Sequence, residues 1–232
     1  MKYLIVNADD FGASRGINRA IVDLCEGGIV TSASLMIAMP ATSEAVRFAE
    51  RSSKMSIGLH VALTDENAEP LVDFNDPKRS AAVIARQIDI FCDRVGRLPS
   101  HLDSHQNVHR DERLLPLFLA AATRHSLPLR EHSKARYFSS FYGQWDGEPH
   151  PEQIGIENLL SMMRTEINDE FTELSCHPGY CGPDFVSPYD KEREIELQTL
   201  SDPRFLEFLR NNSIALTNFR EAASLWSDPL SA

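Results

Sequence analysis

No apolar run in this chain approaches the roughly 20 residues needed to cross a bilayer as a helix. Basic residues are outnumbered by acidic ones, 23 to 34, leaving a net charge of −11. That balance argues against a nucleic-acid groove or an anionic membrane as the main partner, since both call for a basic face. A neutral or cationic small molecule suits it better. Cysteine is sparse: Cys25, Cys92, Cys176 and Cys181 form no Cys-x-x-Cys pair. This fits reduced, mostly buried thiols better than a disulfide framework or a zinc knuckle. Internal repeats and low-complexity linkers are also absent. The opening residues, Met1 to Val6, run into the acidic Asp9-Asp10 and lack the apolar length of a signal peptide, so a cytoplasmic protein is expected. The 232 residues suit a single domain, 1–232, with a sizeable core.

What is present is a regular alternation of two periods. β-rich runs are expected at Lys2 to Asn7, Ile29 to Met39, Met55 to Leu63, from His101 onward, Leu127 to Arg130, Phe171 to Cys176 and Ser213 to Leu216. Apolar residues at helical spacing lie between them, as in Ile17, Ile21 and Leu24. Helices are expected over Gly16 to Glu26, Ala41 to Arg51, Arg79 to Val95, Asp111 to His125, Gln153 to Glu166, Asp190 to Leu200 and Pro203 to Arg210, with a last short one opening after Leu216. Two stretches break the rhythm. Thr64 to Pro77 is acidic and reads as a solvated excursion. His132 to Pro151 has no period, yet holds Tyr137, Phe138, Phe141, Tyr142 and Trp145. Aromatic faces there serve a core, a dimer contact or sugar stacking equally well; under the last reading Tyr142 is a substrate contact.

The densest chemistry is His101-Leu102-Asp103-Ser104-His105-Gln106-Asn107-Val108-His109. In a strand, His101, Asp103 and His105 share a face, but at roughly 3.3 Å per residue the two histidines stand about 13 Å apart. Metal–nitrogen bonds are only about 2.1 Å long, so both cannot hold one ion. His101, the deeper, reads as structural. His109 comes within range as a ligand or substrate contact if a helical turn begins at His105.

Asp9-Asp10, His60, His105 and His177 each fall at or just past the C-terminal end of an expected strand. Taken singly, each has an ordinary structural explanation: an acidic turn, a core histidine, a His-Pro corner. Jointly they favour a closed α/β barrel, whose strand ends share one mouth, over an open sheet that would gather only the loops at its switch point. The fold expected is thus a single-domain distorted (β/α) barrel with about seven parallel strands. One carboxylate and two histidines form a recognised divalent-metal site, assigned to Asp10, His60 and His105. Asp9 is then free as general base for a metal-activated water, His177 can protonate a leaving amine, and Asp103 is placed to orient a ligand histidine from behind. These are the tools of metal-assisted amide hydrolysis.

The blocks Asn7-Ala8-Asp9-Asp10-Phe11-Gly12, Gly28-Ile29-Val30-Thr31-Ser32, Ile57-Gly58-Leu59-His60, His101-Leu102-Asp103-Ser104-His105 and Cys176-His177-Pro178 resemble the YdjC-like carbohydrate deacetylases, among them the chitooligosaccharide deacetylases and relatives associated with hopanoid biosynthesis. The resemblance implies a distorted (β/α) barrel and hydrolysis of an N-acetyl group on an amino sugar or short chitooligosaccharide. It implies a divalent ion, usually magnesium with zinc as the alternative, on Asp10, His60 and His105, with Asp9 as proton acceptor. A homodimer is the oligomer it suggests. The chain departs from the family at Gln106-Asn107, where further histidines are common. The competing readings are a metal-dependent phosphoesterase, for which the only basic residues near the motifs are Arg15 and Arg110, and a non-catalytic protein that binds N-acetyl sugars.

Overall fold

The computed structural model describes residues 1–167 and 170–226. In chain order the elements are β1 (Lys2–Phe11), α1 (Arg15–Glu26), β2 (Ser32–Leu35), α2 (Thr42–Arg51), β3 (Ser56–Val61), α3 (Pro77–Val95), β4 (Leu102–Ser104), α4 (Leu115–His125), β5 (Arg136–Phe138), the short strands β6 (Gln144–Trp145) and β7 (Glu148–Pro149), α5 (Ile156–Glu166), β8 (Phe171–Cys176), α6 (Asp190–Ser201), α7 (Pro203–Asn211), β9 (Ile214–Thr217) and α8 (Phe219–Trp226). The main sheet runs β4-β3-β2-β1-β8-β5, with every pairing in it parallel. Strand β9 lies against residues 2–5 of β1, and β2 takes the same edge from Asn7 onward.

The sheet is curled into the expected distorted barrel. Beyond β4, Leu129 bridges Leu102 in parallel and the Arg130 N–H donates to Leu102 O at 3.0 Å. Six residues later, Arg136 starts β5 on the opposite end of the sheet. Six extended residues reach only about 20 Å, so the two ends must face each other. The expected strand at Leu127 to Arg130 is reduced to this one bridge. The stretch without a period, in contrast, conceals β5, which is too short to show alternation. Its Phe138 and Phe141 are core residues, whereas Tyr142 and Trp145 are exposed. Of the long run Ile29 to Met39 only Ser32–Leu35 is strand.

Local chemistry sets the element ends. Ser14 Oγ accepts from the Ile17 N–H at the start of α1, Asp76 caps α3 with Pro77 in its first turn, and both are favourable choices. The thiols are all free, Cys25 and Cys176 buried, Cys92 half-buried and Cys181 exposed. None of the described helices is long and apolar enough to cross a membrane.

His101 belongs to the barrel floor, away from the mouth. Its ring stacks on Phe219 of α8 at 3.9 Å, within the small apolar cluster of Ile5, Ala135, Phe171, Phe219 and Ala222. Ser34 and Ser100 hydroxyls lie 3.0 Å from its two nitrogens. A Cβ at position 58 would overlap the ring, which accounts for the glycine inside β3.

Two predictions follow from this floor. Gly58→Ala drives a methyl into His101, and overpacking of this kind costs about 1–3 kcal/mol; the loss is read from urea unfolding. Burial, with Arg130 nearby, lowers the His101 pKa to about 4. Between that value and about 6.5 the unfolded chain binds the extra proton, so stability is full above pH 6.5 and is lost as pH falls toward 4. Unfolding free energies from urea titrations across that window should decline accordingly, by about 3 kcal/mol for this group.

Candidate functional site

The mouth of the barrel holds a cleft of about 360 Å³, lined among others by Asp9, Asp10, His60, His105, Tyr142 and His177. Consecutive strand residues point to opposite faces, so adjacent aspartates would not ordinarily share a cleft. Here β1 pairs irregularly with β2 between Ala8 and Phe11, and Asp10 adopts a left-handed φ of 63°. For a non-glycine residue this is a strained conformation of the sort found at functional sites. The bulge turns both carboxylates into the mouth.

Asp10 Oδ1 lies 3.3 Å from His60 Nε2 and 3.3 Å from His105 Nδ1. His60 Nδ1 donates to Asp103 Oδ1 at 2.8 Å, so Nε2 is the nitrogen turned to Asp10 and the one whose lone pair is freed when His60 gives up a proton. Three donor atoms thus converge. Atoms bound at about 2.1 Å to one ion, in tetrahedral or octahedral geometry, lie roughly 3.0–3.4 Å apart, so the spacing fits a shared divalent cation. Asp9, His60 and Asp103 form a second group of suitable atoms, but Arg130 already holds both of its carboxylates.

Arg130, 1% exposed, organises the negative charge. Its Nη1 and Nη2 donate to the two oxygens of Asp9 at 2.8 Å each. Nη2 also meets Asp103 Oδ2 at 2.8 Å, and Nε donates to Glu173 Oε1 at 2.8 Å. Asn7 Nδ2 adds a bond to Asp9 Oδ1 at 2.8 Å, and Ser34 Oγ donates to Asp103 Oδ2 at 2.5 Å. Burial raises the Glu173 carboxyl to about 7 against the pull of Arg130. Burial likewise opposes ionisation of Asp10, yet Arg193 and the two histidines hold it well below the usual carboxylate range. Burial disfavours the charged form of His60, but Asp103 and Asp10 outweigh it and raise its pKa to about 10. A cation on Nε2 therefore competes with a strongly held proton.

His177 stands on the far side of Asp9, its Nε2 3.6 Å from Asp9 Oδ2. Its backbone N–H donates to Glu196 Oε2 at 2.5 Å, and its Nδ1 lies 3.8 Å from Glu196 Oε1, an ionic contact too long for a hydrogen bond. Burial lowers the His177 pKa, and Glu196 with Asp9 more than restores it, for a net rise. Tyr142 stacks on Tyr189 at 4.8 Å, and both rings meet His177 edge-on.

Two expectations are corrected. A helical turn does begin at His105, as a 3-10 segment through Arg110, but Gln106 and Asn107 are left-handed within it. That path tucks His109 under Ser104, whose hydroxyl lies 2.7 Å from His109 Nδ1. His109 is fully buried, and burial with Arg130 nearby lowers its pKa to about 4; it neither lines the cleft nor joins the triad. The acidic excursion is not merely solvated either. Glu66 enters the cleft 3.4 Å from His105 Nε2, and Gln106 Nε2 donates to Asp65 O at 3.0 Å.

Sequence reasoning missed Arg130, Glu173, Arg193, Glu196 and Glu66. Glu173 did carry a signal, as a charge inside the otherwise strand-like Phe171-Thr172-Glu173-Leu174. Arg193 and Glu196 are buried on a helix with little amphipathic pattern and carried none.

Comparison with known proteins bears on the whole of this arrangement. A carbohydrate deacetylase of Geobacillus stearothermophilus is 32% identical over 249 residues, spanning 95% of this chain and 98% of the relative. A solved Enterococcus faecalis protein, described as a candidate cellobiose-phosphate cleavage protein, superposes with a TM-score of 0.82 at 26% identity, over 95% of this chain and 98% of that one. A family 4 carbohydrate esterase from Streptomyces lividans shares the fold alone, with a TM-score of 0.58 at 12% identity over 93% and 91% of the two chains. The model of the YdjC-like protein family matches residues 3–211, and the chain belongs to that family.

Proposed function

We propose that this chain is a divalent-metal-dependent deacetylase, hydrolysing the N-acetyl group of an amino sugar or short chitooligosaccharide. The observation carrying the reading is the convergence of Asp10, His60 and His105 on one point, with Asp9 and His177 flanking it. The Geobacillus relative, described as a carbohydrate deacetylase, supports the substrate class. An ion on the triad would polarise the acetyl carbonyl and acidify a water. Two imidazoles suit zinc or another first-row ion better than magnesium, which prefers oxygen donors.

The chain's own residues then divide the proton work. Arg130 clamps Asp9 in one orientation, and Asp9 takes a proton from the attacking water. Water oxygen bonds to the acyl carbon as the carbon–nitrogen bond breaks, and His177, kept charged by Glu196 and Asp9, gives its proton to the departing amine. Acetate and a free amino sugar leave. The Tyr142–Tyr189 stack beside His177 offers a flat wall for a sugar ring, and Tyr142 is the substrate contact. Arg110 and Arg193 line the cleft but are engaged by Glu131 and Asp10, which gives the phosphoesterase reading less support.

The test is acetate release from diacetylchitobiose and related N-acetyl sugars in the presence of zinc, manganese, cobalt or magnesium. Turnover is expected with at least one ion, and its absence from metal-loaded protein across the panel would sink the proposal. Asp9→Asn should lower kcat by about 10²–10⁴ while metal content, measured by elemental analysis, stays unchanged. Because the His177 pKa is raised and its protonated form is the active one, the alkaline limb of the kcat profile should lie above pH 6.5 and disappear in His177→Gln.

A further inference from the structure

Arg193 comes from the first turns of α6 (Asp190–Ser201) and meets Asp10, whose other oxygen faces the two histidines. Its Nη2 donates to Asp10 Oδ2 at 2.6 Å, with both side chains almost wholly buried. Nη1 lies 3.5 Å from His177 O, and the guanidinium sits 5.7 Å from the Phe185 ring centroid. Gly179 leaves room for its stem, since a Cβ there would stand 3.2 Å from Arg193 Cδ. The side chain is therefore held on several sides. Its partner is the oxygen of Asp10 that does not face His60 and His105.

Two consequences follow. With a guanidinium on Oδ2, Asp10 turns Oδ1 alone toward the two histidines, which favours a one-oxygen ligand with further positions open for water and substrate. A permanent positive charge also stands across the carboxylate from the ligand atom, bonded to its other oxygen at 2.6 Å, and opposes an incoming dication. Most buried partners of a ligand carboxylate strengthen the site; a cationic one weakens it. We propose that Arg193 is a positioning residue that makes Asp10 a one-oxygen ligand and holds the site's metal affinity down, so that the ion exchanges and its outer positions stay free for the reaction.

The inference rests on the triad's being the metal site, and the experiment separates the two. Zinc and manganese binding to the intact protein are measured by calorimetry, and zinc coordination by X-ray absorption, for the native chain, Arg193→Met and Arg193→Lys. The native chain should bind one ion with a single carboxylate oxygen. Arg193→Met should bind it about tenfold more tightly or better, in the range of other changes behind a metal ligand, and should gain a second carboxylate oxygen. Arg193→Lys, which keeps the charge, should stay near the native affinity. Arg193→Gln, neutral but still able to donate to Asp10, replaces the methionine variant if that one fails to fold, and should also bind more tightly. Equal or weaker binding by the neutral variants, with native binding intact, overturns the role of Arg193 alone. Failure of the native chain to bind either ion overturns the metal site and this inference with it.

Discussion

One guanidinium, that of Arg130, is buried among Asp9, Asp103 and Glu173 and bonded to all three. Removing one partner from such a buried cluster leaves uncompensated charge, typically at a cost of about 3–5 kcal/mol. The order of the mouth depends on this cluster. Through Asp103 it sets which nitrogen of His60 faces Asp10; through Asp9 it sets the face presented to a substrate. Beside it Asp10 Oδ1, His60 Nε2 and His105 Nδ1 converge, the donor set that a shared cation would use.

The bulge in β1 makes this economy of residues possible. Asp9 and Asp10 are neighbours in sequence, yet each is paired with its own arginine, Arg130 for one and Arg193 for the other. A regular strand would send one of them to the opposite face. The left-handed Asp10 costs on the order of 1–3 kcal/mol, and the surrounding hydrogen bonds hold it, including Asp10 O accepting from the Ala13 N–H at 3.0 Å and Gly12 N–H donating to Asn18 Oδ1 at 2.7 Å. Two adjacent carboxylates are thus held apart, Asp9 in the Arg130 clamp and Asp10 against His60 and His105.

Much of this was legible because chemistry at strand ends is local. Asp9-Asp10, His60, His105 and His177 stand out against apolar strands, and the period change on either side marks where each strand stops. Asp103 is expected to orient a histidine from behind, and it does hold one, His60, its register partner on the adjacent strand β3. The rest depends on tertiary placement. Arg130 ends a run that reads as a strand, but nothing in the run itself says that its side chain crosses the barrel to Asp9, Asp103 and Glu173. Arg193 and Glu196 reach the site from a helix whose polar residues are buried on more than one side. His109 was misplaced because two left-handed residues, Gln106 and Asn107, redirect a turn whose sequence gives no glycine to announce it. Strand β5, three residues long, was lost in a stretch whose aromatics divide between the core and the cleft rim.

The central claim is that three side chains from distant segments grip one ion. It is tested most directly by anomalous diffraction from crystals of the native chain grown with manganese or zinc, with data on both sides of the metal edge. The expected result is a single anomalous peak within about 2.0–2.3 Å of Asp10 Oδ1, His60 Nε2 and His105 Nδ1. A fully active protein with no peak there, or with its ion bound elsewhere, would contradict it.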